Sequence, residues 1–145
     1  MNQHKYTGGC HCGNIALKMR LSNELNSYVS RTCDCNFCSK HGASYISDNN
    51  GELAISVAQK SKLSKYQHGD RIAEFLICQI CGVLVGACYE YQGHLYATVN
   101  SRTLDRNTEL KQYTMVSPKK LNSIEKNQRW KDVWFSNVLS RELKS

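Results

Sequence analysis

GGCHCGNIALKMRL, residues 8–21, carries two signals in one stretch. Its first half gathers Cys10, Cys12 and Gly13. Its second half alternates, placing Ile15, Leu17 and Met19 on one face of an extended chain. Period-two alternation marks a half-buried β-strand. A cysteine pair followed by glycine marks a metal knuckle, because glycine lets the backbone fold back and turn its amides toward the sulfurs. The stretch predicts a strand entered from a metal-binding turn, and the chain repeats the theme.

RIAEFLIC (71–78) puts Ala73, Phe75 and Ile77 on one side, and VLVGACYE (83–90) does the same with Val83, Val85, Ala87 and Tyr89. LAISV, ASYIS and HLYATVN are further short strands, rich in β-branched and aromatic residues. DNNG at 48–51, QHGD at 67–70 and YQGH at 91–94 supply the turns between them. No helical periodicity longer than two turns precedes residue 120. After Pro118, Trp130, Val133, Trp134 and Val138 recur at helical spacing, which predicts a short amphipathic helix packing its aromatic face on the sheet.

With 145 residues, 41% apolar and a single proline, the chain reads as one mainly-β domain spanning residues 1–145. Its core is expected over about 6–115, with a basic, aromatic C-terminal segment over 116–145. MNQHKYTGGC has no apolar run of the secretory kind, and no stretch approaches the roughly 20 apolar residues that cross a bilayer. The expected location is the cytoplasm.

In a reducing compartment, eight cysteines at short spacing point to metal ligation or catalytic thiols rather than disulfides. C-x-C neighbours bridge each other only with strain. CHCG (10–13) and CQICG (78–82) are two knuckles, and Cys10, Cys12, Cys78 and Cys81 make the closed tetrahedral set of a structural zinc. CDCNFC (33–38) then keeps Cys33, Cys35 and Cys38 for itself, on what reads as a loop. Three protein ligands are the mark of a metal with an open position for water or substrate. Cys88, His41 and His94 are the candidates for a fourth ligand. Cys88, in the middle of a strand, reads rather as a small core residue. His4, His11 and His68 carry no signal.

The three cysteine groups together resemble the glutathione-dependent formaldehyde-activating enzymes, through GGCHCGNI, CDCNFCSKHGA and CQICGV, and through HLYATVNSRTLD, which ends in Leu104 and Asp105 like that family's last core strand. The likeness covers residues 8 to about 105. It implies a small fold of coiled antiparallel sheets, the β-tent, with zinc knuckles. It implies two zinc ions per chain: one structural on Cys10, Cys12, Cys78 and Cys81, the other at Cys33, Cys35 and Cys38. The family also contains centromere protein V. The implied activity is that of a carbon–sulfur lyase, joining glutathione to formaldehyde as S-hydroxymethylglutathione or acting on a related thiol adduct, with Cys33, Cys35 and Cys38 as the catalytic set. Asp34 stands where the family usually has histidine, and Ile77 where phenylalanine is common.

The chemistry follows from metal acidity. A free thiol has a pKa of about 8.5, and a metal ion deprotonates a thiol bound to it. Asp34 and His41 are proton-transfer candidates by proximity alone. The formal net charge is +7, which falls to about +4 once seven thiolates hold two Zn²⁺ ions. Such a surface suits an anionic small molecule as readily as nucleic acid; the resemblance makes glutathione the expected partner, with neither nucleic acid nor membrane expected. The rival reading is a non-catalytic zinc module that binds a macromolecule through Lys119, Lys120, Lys126, Arg129 and Lys131.

Overall fold

Ile15, Leu17, Met19 and Leu21 are all buried, and the first three face Val57, Ile55 and Leu53 of the neighbouring strand, so the opening stretch does form the apolar face of a sheet. The structure, a computed structural model, describes residues 4–140 and 143. In chain order its strands are β1 (His4–Gly9), β2 (Ile15–Leu21), β3 (Val29–Cys33), β4 (Ser44–Ile46), β5 (Glu52–Val57), β6 (Leu63–Tyr66), β7 (Glu74–Cys78), β8 (Leu84–Tyr91), β9 (His94–Asn100), β10 (Gln112–Val116) and β11 (Val138–Leu139). Two helices, α1 (Asn36–His41) and α2 (Ser123–Val133), complete a small, mainly-β single domain. None of the described helices is long and apolar enough to cross a membrane.

The strands form two sheets, ordered β1-β2-β5-β11 and β10-β3-β4-β9-β8-β7-β6. The main core lies between them, where Leu17, Ile55 and Tyr6 of the first sheet meet Leu76, Val99 and Cys88 of the second. Burial on this scale, at about 25 cal/mol per Å² of apolar surface, is the main force holding the sheets together. The opposite face of the larger sheet carries two smaller clusters, one around Cys33, Cys38 and Tyr45, the other around Ala87, Tyr89 and Trp134. That face, covered by α1 and α2, holds the functional site.

The predicted turns all fall between strands, and Cys88 sits in the main core as read. Several expectations are corrected. The pairing is not wholly antiparallel: β10 runs parallel to β3, and β11 parallel to β5. Val85 does not share a face with Ala87 and Tyr89. Leu76 faces Gly86 and Ile77 faces Leu84, leaving Val85 as the extra residue of a β-bulge that turns it into the main core. Leu104 and Asp105 lie beyond β9, which stops at Asn100. A 3-10 turn follows, after which Leu104 bridges to Gly8 and the Asp105 amide donates to Thr7.

The C-terminal helix is present but ends at Val133, so Val138 lies on β11 instead of on the helical face. Its start is set by Asn122 and Glu125, whose side chains each bond the other's backbone amide at 2.9 Å. Its last carbonyls are taken by side chains from the segment after β4, at 2.8 Å from Ser47 to Val133 and 2.8 Å from Asn49 to Lys131. Trp130 and Trp134 stack at 4.6 Å, and Tyr89 meets Trp134 edge-on at 5.4 Å. The chain then leaves the helix to pair Phe135 with Ala97 of β9.

Candidate functional site

All eight cysteines are free thiols. Seven of them fall into the two groups read from their spacing. The sulfurs of Cys10, Cys12, Cys78 and Cys81 lie within 4.8 Å of one another, and so do those of Cys33, Cys35 and Cys38. Cys12 Sγ is 3.7 Å from Cys10 Sγ and 3.6 Å from Cys78 Sγ. Metal–sulfur bonds of about 2.3 Å in a tetrahedron separate the sulfurs by about 3.8 Å, so the donor set fits a thiolate-bound metal ion.

The knuckle geometry comes from backbone closure. The Cys10 amide donates to the Ile15 carbonyl at 3.0 Å and the Cys78 amide to the Val83 carbonyl at 3.0 Å, the same five-residue reach although the second cysteine differs by one position. Gly13 and Gly82 make the reversal with φ of 89° and 80°, a region open to glycine at little cost. The Ile15 amide then points back at Cys10 Sγ, 3.2 Å away. At Cys81, burial raises the thiol pKa, but amides at Cys12 and Val83 and the neighbouring sulfurs outweigh it, bringing the value down to about 6. Such amides stabilise a thiolate, the form a metal needs.

The second group is not on a loop, as the spacing suggested. Cys33 ends β3, Cys35 is the N-cap of α1, and Cys38 lies in its first turn with its amide 3.3 Å from Cys35 Sγ. The N-cap requirement thus sets two of the three sulfurs. The Cys38 thiol lies against Cys33 and lowers its pKa to about 6. Cys38 itself is pushed well up, first by Cys33 and then by burial. Tyr45 Oη sits 3.2 Å from Cys38 Sγ, and burial holds that phenol well above its usual pKa.

Among the described residues, none of the three fourth-ligand candidates joins this group. Cys88 is in the core, His41 packs at a tilt on Phe37 at 4.7 Å at the end of α1, and His94 bonds the Ser136 carbonyl at 2.6 Å. Asp34 is held beside the cluster. Its amide bonds the Val116 carbonyl of β10 at 3.1 Å, Ser117 Oγ donates to its Oδ2 at 2.5 Å, and Lys119 Nζ is 3.9 Å away.

The three cysteines open on a cavity of about 690 Å³ between the larger sheet and α2. Its size is that of a small-molecule site. Ala73, Ala87, Trp130 and Trp134 make an apolar wall, while Arg31, Lys126 and Arg129 bring positive charge. Lys126 pairs with Asp70 at 2.7 Å, so this lysine and Lys119 turn toward carboxylates at the cavity. His68 also lines it, stacked on Phe75 at 5.0 Å, with a buried Nε2 that has no partner among the described residues. Burial and Lys126 lower its pKa, with Asp70 opposing. Sequence reading passed over His68, Arg31 and Tyr45. Only Arg31 had a usable signal, since strand alternation puts it on the same face as Cys33.

A family model described as glutathione-dependent formaldehyde-activating enzyme matches residues 5–118. A crystal structure of a Rhodobacter sphaeroides protein is similar at 27% identity and a TM-score of 0.56, covering 74% of this chain and 99% of its own. No curated protein matches the chain.

Proposed function

We infer the activity of this chain from one premise: it belongs to the glutathione-dependent formaldehyde-activating enzyme family. It is a carbon–sulfur lyase-type enzyme that joins glutathione to formaldehyde as S-hydroxymethylglutathione, with zinc on both cysteine groups. The observation that carries this reading is the three-sulfur group left beside a complete four-sulfur set, opening on a cavity of about 690 Å³.

Cys10, Cys12, Cys78 and Cys81 would hold a structural ion, and Cys33, Cys35 and Cys38 a second one with a position left for substrate. When bound there, zinc supplies the Lewis acidity that ionises a substrate thiol at neutral pH. The glutathione sulfur attacks the carbonyl carbon of formaldehyde. A C–S bond forms, the C=O pair moves onto oxygen, and the proton given up by the thiol ends on that oxygen. His68, stacked on Phe75, adds a ring to the wall of the same cavity. Tyr45 bonds Cys38 Sγ and fixes that sulfur's orientation. The apolar wall of Trp130 and Trp134 limits competing water.

Exchange NMR of glutathione and formaldehyde tests the reading, since the uncatalysed addition is itself appreciable. Zinc-loaded protein is expected to raise the exchange rate above a protein-free control, and Cys35→Ser to return it to that control. A zinc-loaded wild type that never exceeds the control would overturn the activity.

A further inference from the structure

We propose that Arg31 and Arg129 form a carboxylate-recognition subsite, so that the thiol substrate of this chain carries a carboxylate close to its sulfur. This rests on the activity inferred above, with the three-cysteine group as the reacting centre.

The argument starts on β3. Arg31 precedes Cys33 by two residues, so both side chains leave the same face of the strand, about 6.6 Å apart along it. The guanidinium lies on the cavity wall, held by Nη2 alone, which donates to Ser47 Oγ at 2.7 Å and Thr98 Oγ1 at 3.3 Å. Both acceptors are neutral hydroxyls. Among the described residues the Nε and Nη1 hydrogens have no acceptor, and no carboxylate lies within ion-pair distance. A half-buried cation without a counter-ion is costly, and the fold here makes it worse by adding another. Arg129 of α2 lines the same cavity.

The lysines of this cavity are treated differently. Lys126 has Asp70 at 2.7 Å and Lys119 has Asp34 at 3.9 Å, whereas the two arginines have no carboxylate among the described residues. Two guanidiniums facing one open space repel until an anion lies between them, and arginine is the side chain best suited to carboxylates. The shared lining selects the class of ligand. A peptide thiol such as glutathione carries both groups this cavity asks for, a sulfur for the cysteine group and carboxylates for the arginines.

The test is calorimetric titration of the zinc-loaded full chain with S-methylglutathione, which keeps both carboxylates but cannot ionise at sulfur, and with its diethyl ester. Arg129→Gln, on an exposed helix position, is expected to weaken S-methylglutathione about tenfold and leave the ester unchanged. Arg31→Gln is expected to do the same, and Arg129→Gln keeps the test open if that variant fails to fold. Equal binding of S-methylglutathione by wild type and Arg129→Gln, or none by wild type, overturns the subsite. Acceleration that is equal for glutathione and carboxylate-free cysteamine also overturns it while leaving the activity standing. Arginine-dependent binding with no acceleration of adduct formation supports the subsite and overturns the activity instead.

Discussion

Cys35→Ser should remove one metal ion and leave the fold standing, because the two cysteine groups couple differently to folding. Cys12 and Cys78, neighbours in the four-cysteine group, are 66 residues apart in the chain. Cys33, Cys35 and Cys38 lie within a six-residue stretch. Closing the longer loop costs about 2 kcal/mol more chain entropy, so a metal there constrains the unfolded chain far more. The larger difference lies in the unfolded state, which can still gather three cysteines from one short segment but not two distant pairs. A ligand that binds both states stabilises neither over the other. Binding at the long-range site therefore becomes folding free energy, on the order of 10 kcal/mol, comparable to the whole stability of a domain.

Serine also preserves the local structure at position 35. Cys35 is the N-cap of α1, accepting from the Cys38 amide, and serine is among the preferred caps. The expected change is about 1 kcal/mol or less, a shift in melting temperature of roughly 2–4 °C. Elemental analysis should find about one zinc fewer per chain, while Cys81→Ser should aggregate or unfold. A Cys35→Ser protein that keeps two ions, or that melts as low as Cys81→Ser, would refute this division of roles.

Trp134→Ala should cost about 3 kcal/mol by denaturant unfolding, at the lower end for a buried aromatic because one side of the ring meets the cavity. A cost below about 1 kcal/mol would mean that the face from Trp130 to Trp134 is not packed. Asp48 is raised by burial but lowered further by the Tyr28 hydroxyl at 2.6 Å and the Ser22 amide at 2.8 Å, so its folded pKa is depressed. Its contribution is present above the unfolded value of about 3.9 and lost as pH falls through the folded value. Asp48→Asn should therefore be less stable than wild type at neutral pH, by about 1–2 kcal/mol, with the gap closing below about pH 4. A gap that stays constant into acid would show that the charge contributes nothing.

The sequence by itself determined what depends on short spacing. Alternation in 15–21 named the buried face of β2 because side chains of a strand leave on opposite sides whatever lies around them. The two cysteine groups were legible for a similar reason: C-x-C-G, C-x-x-C-G and C-x-C-x-x-C already hold their sulfurs within a turn's reach of each other. Where one residue of local geometry intervened, the same reasoning slipped. The bulge at Val85 reversed the face of β8, and the N-cap at Cys35 turned an expected loop into α1.

Tertiary structure decided what the cysteines open onto. Arg31 comes from β3, His68 from the turn between β6 and β7, and Arg129 from α2, and nothing in the local pattern of any one of them announces the others. They share a cavity because parallel pairing of β10 with β3 carries the chain past Cys33, and the Lys126–Asp70 pair ties α2 to the turn that holds His68. Charge and proton transfer at a site depend on distance in space, and pairing between remote strands sets that distance.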